Sequence, residues 1–172
     1  METRSVTRNA LCVALVTVAT LTIRVPVPAT QGYINLGDAV IFAVALLFGA
    51  RMGTIAGGLG SALADLLGGY AHWALFTLLI KGIEGLVTGT TFRGGRLDSS
   101  SGIFRGGVAV CLGGTWMICG YFGTETFLYG WQPALAALPG NGIQALGSLM
   151  LGLPAAIGLA RASSLQGEHP KS

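Results

Sequence analysis

The feature that most constrains this fold is a succession of apolar runs separated by short polar or glycine-rich turns. Of the 172 residues, 52% are hydrophobic and only 10% are charged, whereas about a quarter of the residues in soluble domains are charged. A helix needs about 20 apolar residues to cross a bilayer. Together with a mean hydropathy of +0.67, this pattern predicts an all-α integral membrane protein.

Six runs in this pattern are predicted to be transmembrane helices. Prolines at positions 26 and 28 end the first run, because proline removes a backbone donor and biases its predecessor away from helix. The second run is short for a span, so it either starts near Tyr33 or crosses only part of the bilayer. Loops are expected at 29–37, 93–105 and 123–139. One six-helix membrane domain should cover 1–163, followed by a disordered cytoplasmic tail at 164–172. The predicted helices are 6–23, 38–48, 54–67, 73–92, 106–122 and 141–160.

The distribution of basic residues predicts the orientation of this bundle. Cytoplasmic loops of membrane proteins carry an excess of Lys and Arg, so we expect both termini in the cytoplasm and only Arg24 outside. This orientation places Asp38, Asp65 and Lys81 in one layer in the outer half of the membrane. The basic residues expected on the cytoplasmic side are Arg4, Arg8, Arg51, Arg93, Arg96, Arg105, Arg161 and Lys171.

Ionisable residues within the apolar stretch 57–84 indicate a binding site. An ionisable group at membrane depth costs about 2.5 kcal/mol or more, and it usually faces a protein interior or a wet cavity. We therefore interpret these groups as the lining of a small-molecule pocket. The alternative is that Lys81 and Glu84, three residues apart on a helix, only neutralise each other. The candidate substrate-binding residues are Tyr33, Asn35, Asp38, Asp65, Tyr70, His72, Trp73, Lys81 and Glu84.

These residue types favour recognition of a ring. A few polar groups in an apolar, aromatic cleft suit a small planar heterocycle with hydroxyl or amine substituents, and Tyr121 and Trp131 offer further stacking faces. No catalytic residue, metal site or cofactor is predicted. The glycine-rich run at 57–63 lacks the Lys-Ser/Thr of a phosphate-binding loop, and Ser61 with His72 has no nucleophile-elbow context. The three cysteines lie in apolar runs and are predicted to be buried. The scattered basic residues do not predict nucleic-acid binding.

Rows of small residues mark expected helix contacts, since they let backbones approach closely. Gly53, Gly57 and Gly60 form one row, and glycines at 106, 113 and 120 form another. For both rows we favour internal packing. Ala10 and Ala14 form a similar pair on the first helix, where a smooth face could equally receive a partner protein.

Three motifs resemble the substrate-binding S components of energy-coupling factor (ECF) transporters, in the riboflavin-type group. They are GYINLGDAVIF at 32–42, GGLGSALADLLGGYAHW at 57–73 and IKGIEGLVTG at 80–89. The resemblance implies a six-helix S-component bundle in a prokaryotic cell membrane. It also implies a vitamin bound from outside beneath the loop 24–37, with ring types such as pyridoxine, hydroxymethylpyrimidine or riboflavin. The implied partners are a membrane scaffold subunit, two cytoplasmic ATPases and membrane lipid, with Ala10 and Ala14 docking on the scaffold.

The leading hypothesis is therefore the binding subunit of an ATP-driven vitamin importer, which is not an enzyme. A second hypothesis is a self-sufficient proton-coupled transporter with Asp65 and Glu84 as proton carriers. It is disfavoured because no inverted repeat is visible between the two halves of the sequence. A third is a structural membrane subunit whose charges only pair with one another.

Overall fold

A computed structural model, which describes residues 2–167, contains six helices and one short hairpin. The predicted number and order of helices agree with this architecture, which is that of a helical membrane protein. The elements are α1 (Glu2–Thr22), β1 (Arg24–Val27), β2 (Gly32–Asn35), α2 (Gly37–Phe48), α3 (Ala50–Gly68), α4 (Ala74–Thr91), α5 (Ser100–Tyr129) and α6 (Trp131–Gly167).

Three stretches of helix are long and apolar enough to cross a membrane, judged by length and composition within the described residues. They are Ala74–Thr91, Ser100–Tyr129 and Trp131–Ala162. Two further apolar stretches, Val6–Thr22 and Gly37–Phe48, are shorter. The brevity of α2 agrees with the sequence, which contains only a short apolar run at that place.

Successive helices run in alternate directions, as contacts between their ends show. The guanidinium carbon of Arg8 lies 5.6 Å from the centre of the Phe48 ring, joining the start of α1 to the end of α2. Arg105 donates to the carbonyl of Arg93 at 3.2 Å, joining the start of α5 to the end of α4. At the other end of the bundle, Arg24 donates to the carbonyl of Gly68 at 3.3 Å. We call these two ends the arginine end and the hairpin end.

The expected loop before α2 is partly wrong, because it contains an antiparallel hairpin. Arg24 pairs with Asn35 and Val27 with Gly32, and Gln31 turns the chain with a φ of 50°. Pro26 lies in β1, which as one strand of a two-stranded sheet has a free edge where a missing N–H is tolerated.

The expected loop at 123–139 is also wrong, since α5 and α6 extend through it. Only Gly130, with a φ of 91°, separates the two helices, and glycine adopts this conformation without steric cost. Pro133 is accommodated because it lies in the first turn of α6, where backbone N–H groups have no helical partner. Helix α6 also continues past the expected end at Ala160 to Gly167. The remainder of the expected tail, 168–172, lies outside the described residues.

The predicted internal packing of the glycine rows is confirmed. A Cβ atom on Gly57 would lie 2.6 Å from the carbonyl oxygen of Lys81, and one on Gly60 would lie 2.7 Å from the Val16 side chain. Glycine thus lets α3 approach both α4 and α1 closely. On α5, a Cβ on Gly113 would lie 3.2 Å from the carbonyl oxygen of Glu84. The glycine rows therefore fix the position of the polar segment of α4 within the bundle.

The predicted burial of the three cysteines is confirmed for one of them only. Cys12 is buried in a core cluster with Val16 and Ile41, as predicted. Cys111 and Cys119 are exposed on α5, so their predicted burial is wrong. Membrane helices also present apolar side chains to lipid, which is why an apolar run does not by itself indicate an internal position.

Candidate ligand-binding site

A cavity at the hairpin end is lined by polar and aromatic side chains from the hairpin and from every helix except α2. It encloses about 30 Å³, enough for one or two waters. Five predicted site residues line it: Tyr33, Asn35, Asp65, Trp73 and Lys81. Its other polar lining residues are Thr20, Thr30, Ser61, Thr77, Tyr121, Glu125, Asn141 and Gln144.

The floor of the cavity is a buried charge cluster formed by Asp38, Lys81 and Glu84. Lys81 is 1% exposed and both carboxylates are 0% exposed. The Lys81 ammonium pairs with Oδ1 of Asp38 and lies 2.9 Å from Oε2 of Glu84. Gln144 of α6 donates to the second oxygen of Asp38 at 2.9 Å. One cation therefore serves two acids, and three helices meet at this cluster.

This arrangement combines the two interpretations of the charged residues. Glu84 is shielded from the cavity and neutralises Lys81 from the same helix, as the pairing alternative expects. Lys81 nevertheless lines the cavity. A buried charge is tolerated only when it is paired. Asp38 and Glu84 pair with the Lys81 ammonium and fix its position, so its charge is already neutralised within the protein.

The hairpin forms the roof of the cavity, and two of its hydrogen bonds to the bundle join residues that line the cavity. The Tyr33 hydroxyl donates to Oδ1 of Asp65 at 2.5 Å. The backbone N–H of Asn35 donates to Oε1 of Gln144 at 2.8 Å. Burial and the adjacent Asp65 carboxylate raise the pKa of Tyr33, so its hydroxyl stays protonated and acts as the donor. Through Gln144, the roof is connected to the floor.

Aromatic rings form one wall. Trp73, which immediately precedes α4, is 3% exposed, and its ring centre lies 5.8 Å from that of Tyr121 with an interplanar angle of 61°. The Tyr121 hydroxyl donates to Oγ1 of Thr77 at 3.3 Å. The Lys81 ammonium lies 5.4 Å from the centre of the Tyr121 ring. This wall can stack a planar ligand.

Two polar atoms in the lining, Oγ1 of Thr20 and Nε1 of Trp73, are buried without a hydrogen-bond partner among the described residues. Oγ1 of Thr30 and Oδ2 of Asp65 also lack a well-aligned partner, although Glu125 and Thr77 lie beside them. Buried polar atoms in folded proteins are nearly always hydrogen-bonded. Their concentration around one cavity indicates that a bound molecule or water supplies the missing partners.

Comparison with known proteins decides the family. Residues 1–161 match the family model described as ECF-type riboflavin transporter, S component. The chain belongs to this S-component family. It is 45% identical over 137 residues to an uncharacterised protein of Pyrococcus woesei, covering 80% of this chain and 88% of that protein. It is also 32% identical over 127 residues to the thiamine precursor transporter HmpT of Lactococcus lactis, covering 73% of this chain and 69% of HmpT.

The predicted resemblance to S components is thus confirmed. The family is a transporter component and not an enzyme class. Of five cavities compared among the described residues of this S component, the one beneath the hairpin combines polar side chains with an aromatic wall. The others are lined mainly by apolar side chains or lie at the arginine end.

Four predicted site residues of the S component lie outside the cavity lining. Asp38 and Glu84 lie behind Lys81. Tyr70 and His72 lie in the turn between α3 and α4, which leaves the bundle because Gly69 ends α3 in a left-handed conformation. Tyr70 contacts the Tyr33 ring with centroids 4.6 Å apart, and His72 is exposed. Trp131, expected as a stacking face, is also exposed and contacts Phe122 instead.

One acid and two amides of the S-component cavity, Glu125, Asn141 and Gln144, were not predicted from the sequence, nor were the lining hydroxyl residues Thr20, Thr30, Ser61 and Thr77. Glu125 was assigned to a loop, whereas it is buried on α5, with an oxygen 3.5 Å from Nδ2 of Asn141 on α6. Lys81 and Glu84 on α4 were identified as ionisable groups among apolar residues. The same criterion would also have identified Glu125 on α5. Asn141 and Gln144 are three apart and therefore lie on one face of α6.

Ala10 and Ala14 lie on the outward face of α1, where both are exposed. The neighbouring Leu11 and Leu15 are exposed too. The opposite face, with Cys12 and Val16, packs against the bundle. Among the described residues, the small-residue pair is therefore not buried in the bundle.

Proposed function

We propose that this chain is the substrate-binding subunit of an ATP-driven ECF vitamin importer, and that it captures a small B-vitamin-like heterocycle at the hairpin end. The proposal is supported by the polar cavity beneath the hairpin, to which five helices and the hairpin contribute. Paired charges form its floor and tyrosine and tryptophan rings its wall. Such a cavity suits recognition of a ring with polar substituents.

The closed roof explains how a vitamin would be retained. The enclosed volume of about 30 Å³ is too small for a vitamin ring, so the hairpin shifts outward to admit the ligand and then closes over it. Hydrogen bonds from Tyr33 to Asp65, from Asn35 to Gln144 and from Arg24 to Gly68 hold the hairpin down. Breaking a few hydrogen bonds costs only a few kcal/mol, which makes such an opening accessible.

The distribution of charge supports an orientation with the hairpin outside the cell. The arginine end contains Arg8, Arg93 and Arg105, whereas the hairpin end has Arg24. By the positive-inside rule, the arginine end and both termini lie in the cytoplasm of a prokaryotic cell. The cavity then opens outward, where an importer meets its substrate.

The energy for transport comes from partner subunits in this proposal. Ala10 and Ala14 form the smooth outward face of α1, and small residues allow close approach of another membrane helix. We assign this face to the scaffold subunit, which in turn carries two cytoplasmic ATPases. The relative HmpT is named a thiamine precursor transporter, so thiamine precursors join pyridoxine and riboflavin among the ligands to test.

The test begins with the chain purified alone in detergent. Mass spectrometry of co-purified small molecules, followed by calorimetric titration, should reveal one vitamin-type heterocycle bound tightly without partner subunits. Vesicles containing this chain with a scaffold and two ATPases should then accumulate the ligand only when ATP is supplied inside. Uptake into vesicles that hold this chain alone under a proton gradient would contradict the proposal and favour a secondary transporter.

A further inference from the structure

Gln144 of α6 lies between the roof and the floor of the cavity and contacts both. It is 5% exposed. Oε1 of Gln144 accepts from the backbone N–H of Asn35 at 2.8 Å, and Nε2 donates to Oδ2 of Asp38 at 2.9 Å. The other oxygen of Asp38 pairs with the Lys81 ammonium. One side-chain amide thus joins the hairpin to the charge cluster.

The chemistry of these two partners fixes the orientation of the Gln144 amide. A backbone N–H can only donate and a carboxylate can only accept, so the amide oxygen faces Asn35 and the amide nitrogen faces Asp38. An aliphatic side chain of similar length supplies neither group, and an ionised glutamate supplies acceptors only. Because all three residues are buried, a partner left unsatisfied is costly. Position 144 therefore needs a side chain that donates and accepts at the same time.

Asn35 and Asp38 belong to one tightly packed corner, where β2 turns into α2. The Asn35 side chain accepts from the backbone N–H of Gly37 at 2.8 Å. A Cβ atom on Gly37 would overlap Oγ1 of Thr20, so α1 packs directly against this corner. A shift of the hairpin at its base therefore changes both contacts of Gln144 together.

The contacts of the hairpin with α3 lack this link. Tyr33 donates to Asp65 and Arg24 donates to the carbonyl of Gly68, and neither bond includes a member of the charge cluster. We propose that Gln144 is the positioning residue that makes closure of the hairpin depend on the charge cluster. Asp38, held by Lys81, turns the amide so that its oxygen faces the hairpin and keeps it closed. This inference rests on the proposed function, in which closure retains the vitamin.

Hydrogen exchange of the backbone amides at 24–34 tests this role in the full chain in detergent, without any vitamin. Exchange reports how often a segment opens. The window leaves out Asn35, whose amide would exchange faster in any variant that merely lacks its acceptor. Gln144→Leu removes both contacts and should raise the exchange rate at least about tenfold, since one of them is made to a charged group.

Gln144→Glu tests the need for a donor with little change in shape. At about pH 5 the introduced carboxyl carries a proton, donates to Asp38 and accepts from Asn35, so exchange should stay within about twofold of the wild type. At about pH 8.5 two carboxylates face each other, and exchange should be at least about tenfold faster than in the wild type. The matched control, Gln132→Glu, makes the same change at an exposed position of α6 and should follow the wild type at both pH values.

Other titratable groups surround position 144, and they are the same in the wild type and in this variant. Rates are therefore compared at equal pH, which cancels the contribution of these groups. Those that line the cavity or form the charge cluster are Tyr33 of β2, Asp38 of α2, Asp65 of α3, Lys81 and Glu84 of α4, and Tyr121 and Glu125 of α5.

A double variant isolates the contact with Asp38. Asp38→Asn combined with Gln144→Glu reverses the hydrogen bond, because the amide is now at position 38 and the carboxylate at 144, and it keeps the number of charges unchanged. At about pH 8.5 the double variant should exchange at least about fivefold more slowly than Gln144→Glu alone, since the like-charge contact is gone.

The outcomes separate this inference from the proposed function. Exchange in Gln144→Leu within about twofold of the wild type would overturn the inference, because two lost hydrogen bonds should have a larger effect. An equal rise in Gln144→Glu at both pH values, or no recovery in the double variant, would overturn it too. Failure of the folded wild-type chain to bind any vitamin-type heterocycle would overturn the proposed function and leave the role of Gln144 in closure intact.

Discussion

The Tyr33 hydroxyl lies 2.5 Å from Oδ1 of Asp65 and joins strand β2 to helix α3 over the cavity. This bond fastens the hairpin to α3 through one Asp65 oxygen, and the other oxygen, Oδ2, lies beside Thr77. The same carboxylate thus holds the roof and lines the cavity.

Loss of this hydrogen bond should speed ligand release. Tyr33→Phe removes the hydroxyl and keeps the ring, so we expect the dissociation rate to rise about tenfold, as a hydrogen bond to a charged group contributes about 1.5–3 kcal/mol. Rapid dilution of the ligand-loaded chain measures this rate. Tyr70→Phe is the control, because the recorded contacts of Tyr70 are made by its ring. Equal rates in the two variants would show that the hairpin bond does not limit release.

Substitutions in the charge cluster at the floor of the cavity should differ sharply in how much they lower the stability of the fold. Lys81→Met leaves two buried carboxylates without a cation, and breaking a buried ion pair in this way costs about 3–5 kcal/mol. Glu84→Gln instead leaves a balanced pair between Lys81 and Asp38. We expect a large fall in melting temperature for the first variant and little change for the second. Similar falls in both would mean that all three charges are needed for folding.

The glycine contact between α3 and α4 should be intolerant of a methyl group. In Gly57→Ala the new Cβ would lie 2.6 Å from the carbonyl oxygen of Lys81, which as backbone cannot move aside. The variant should unfold at a lower temperature and bind ligand more weakly. Gly147→Ala is the control, because nothing lies within 4 Å of its added Cβ and alanine favours helix over glycine. A melting temperature for Gly57→Ala at or above that of the control would contradict the close packing.

The outward face of α1 should be needed for assembly and not for binding. Ala14→Leu adds bulk to an exposed position, so co-purification with a scaffold subunit should be lost while vitamin affinity stays within about twofold, since close helix approach requires small residues. Ala136→Leu makes the same change at an exposed position on α6 and should preserve assembly. Normal assembly of Ala14→Leu would assign the scaffold contact to another face.

The sequence predicted the helix order and part of the cavity because those features depend on local patterns. Apolar runs, glycine rows and acids at membrane depth are visible in short windows, and they located Asp65 and Lys81. Glu125, Asn141 and Gln144 were missed because α5 and α6 continue through a stretch rich in Gly and Pro, which local rules assign to a loop. Pro133 is harmless in the first turn of a helix, and the pattern alone does not reveal where that turn begins.

The sequence also did not reveal in which direction each side chain near the turn between α3 and α4 points. Tyr70, His72 and Trp73 are near neighbours with similar chemistry, yet Trp73 alone of the three lines the cavity. The left-handed residue Gly69 sets where the chain re-enters the bundle. One backbone conformation therefore separates a ligand-facing indole from two ring systems at the rim.

The sharing of Lys81 between two acids also bears on how substrate range can change in such proteins. Replacing Lys81 or Asp38 leaves a buried charge without its partner, whatever nutrient is carried. Asp65, Trp73 and Glu125 stand on separate segments above that cluster and can be exchanged singly. Engineering toward a new nutrient should therefore begin with these upper positions and keep the buried cluster constant.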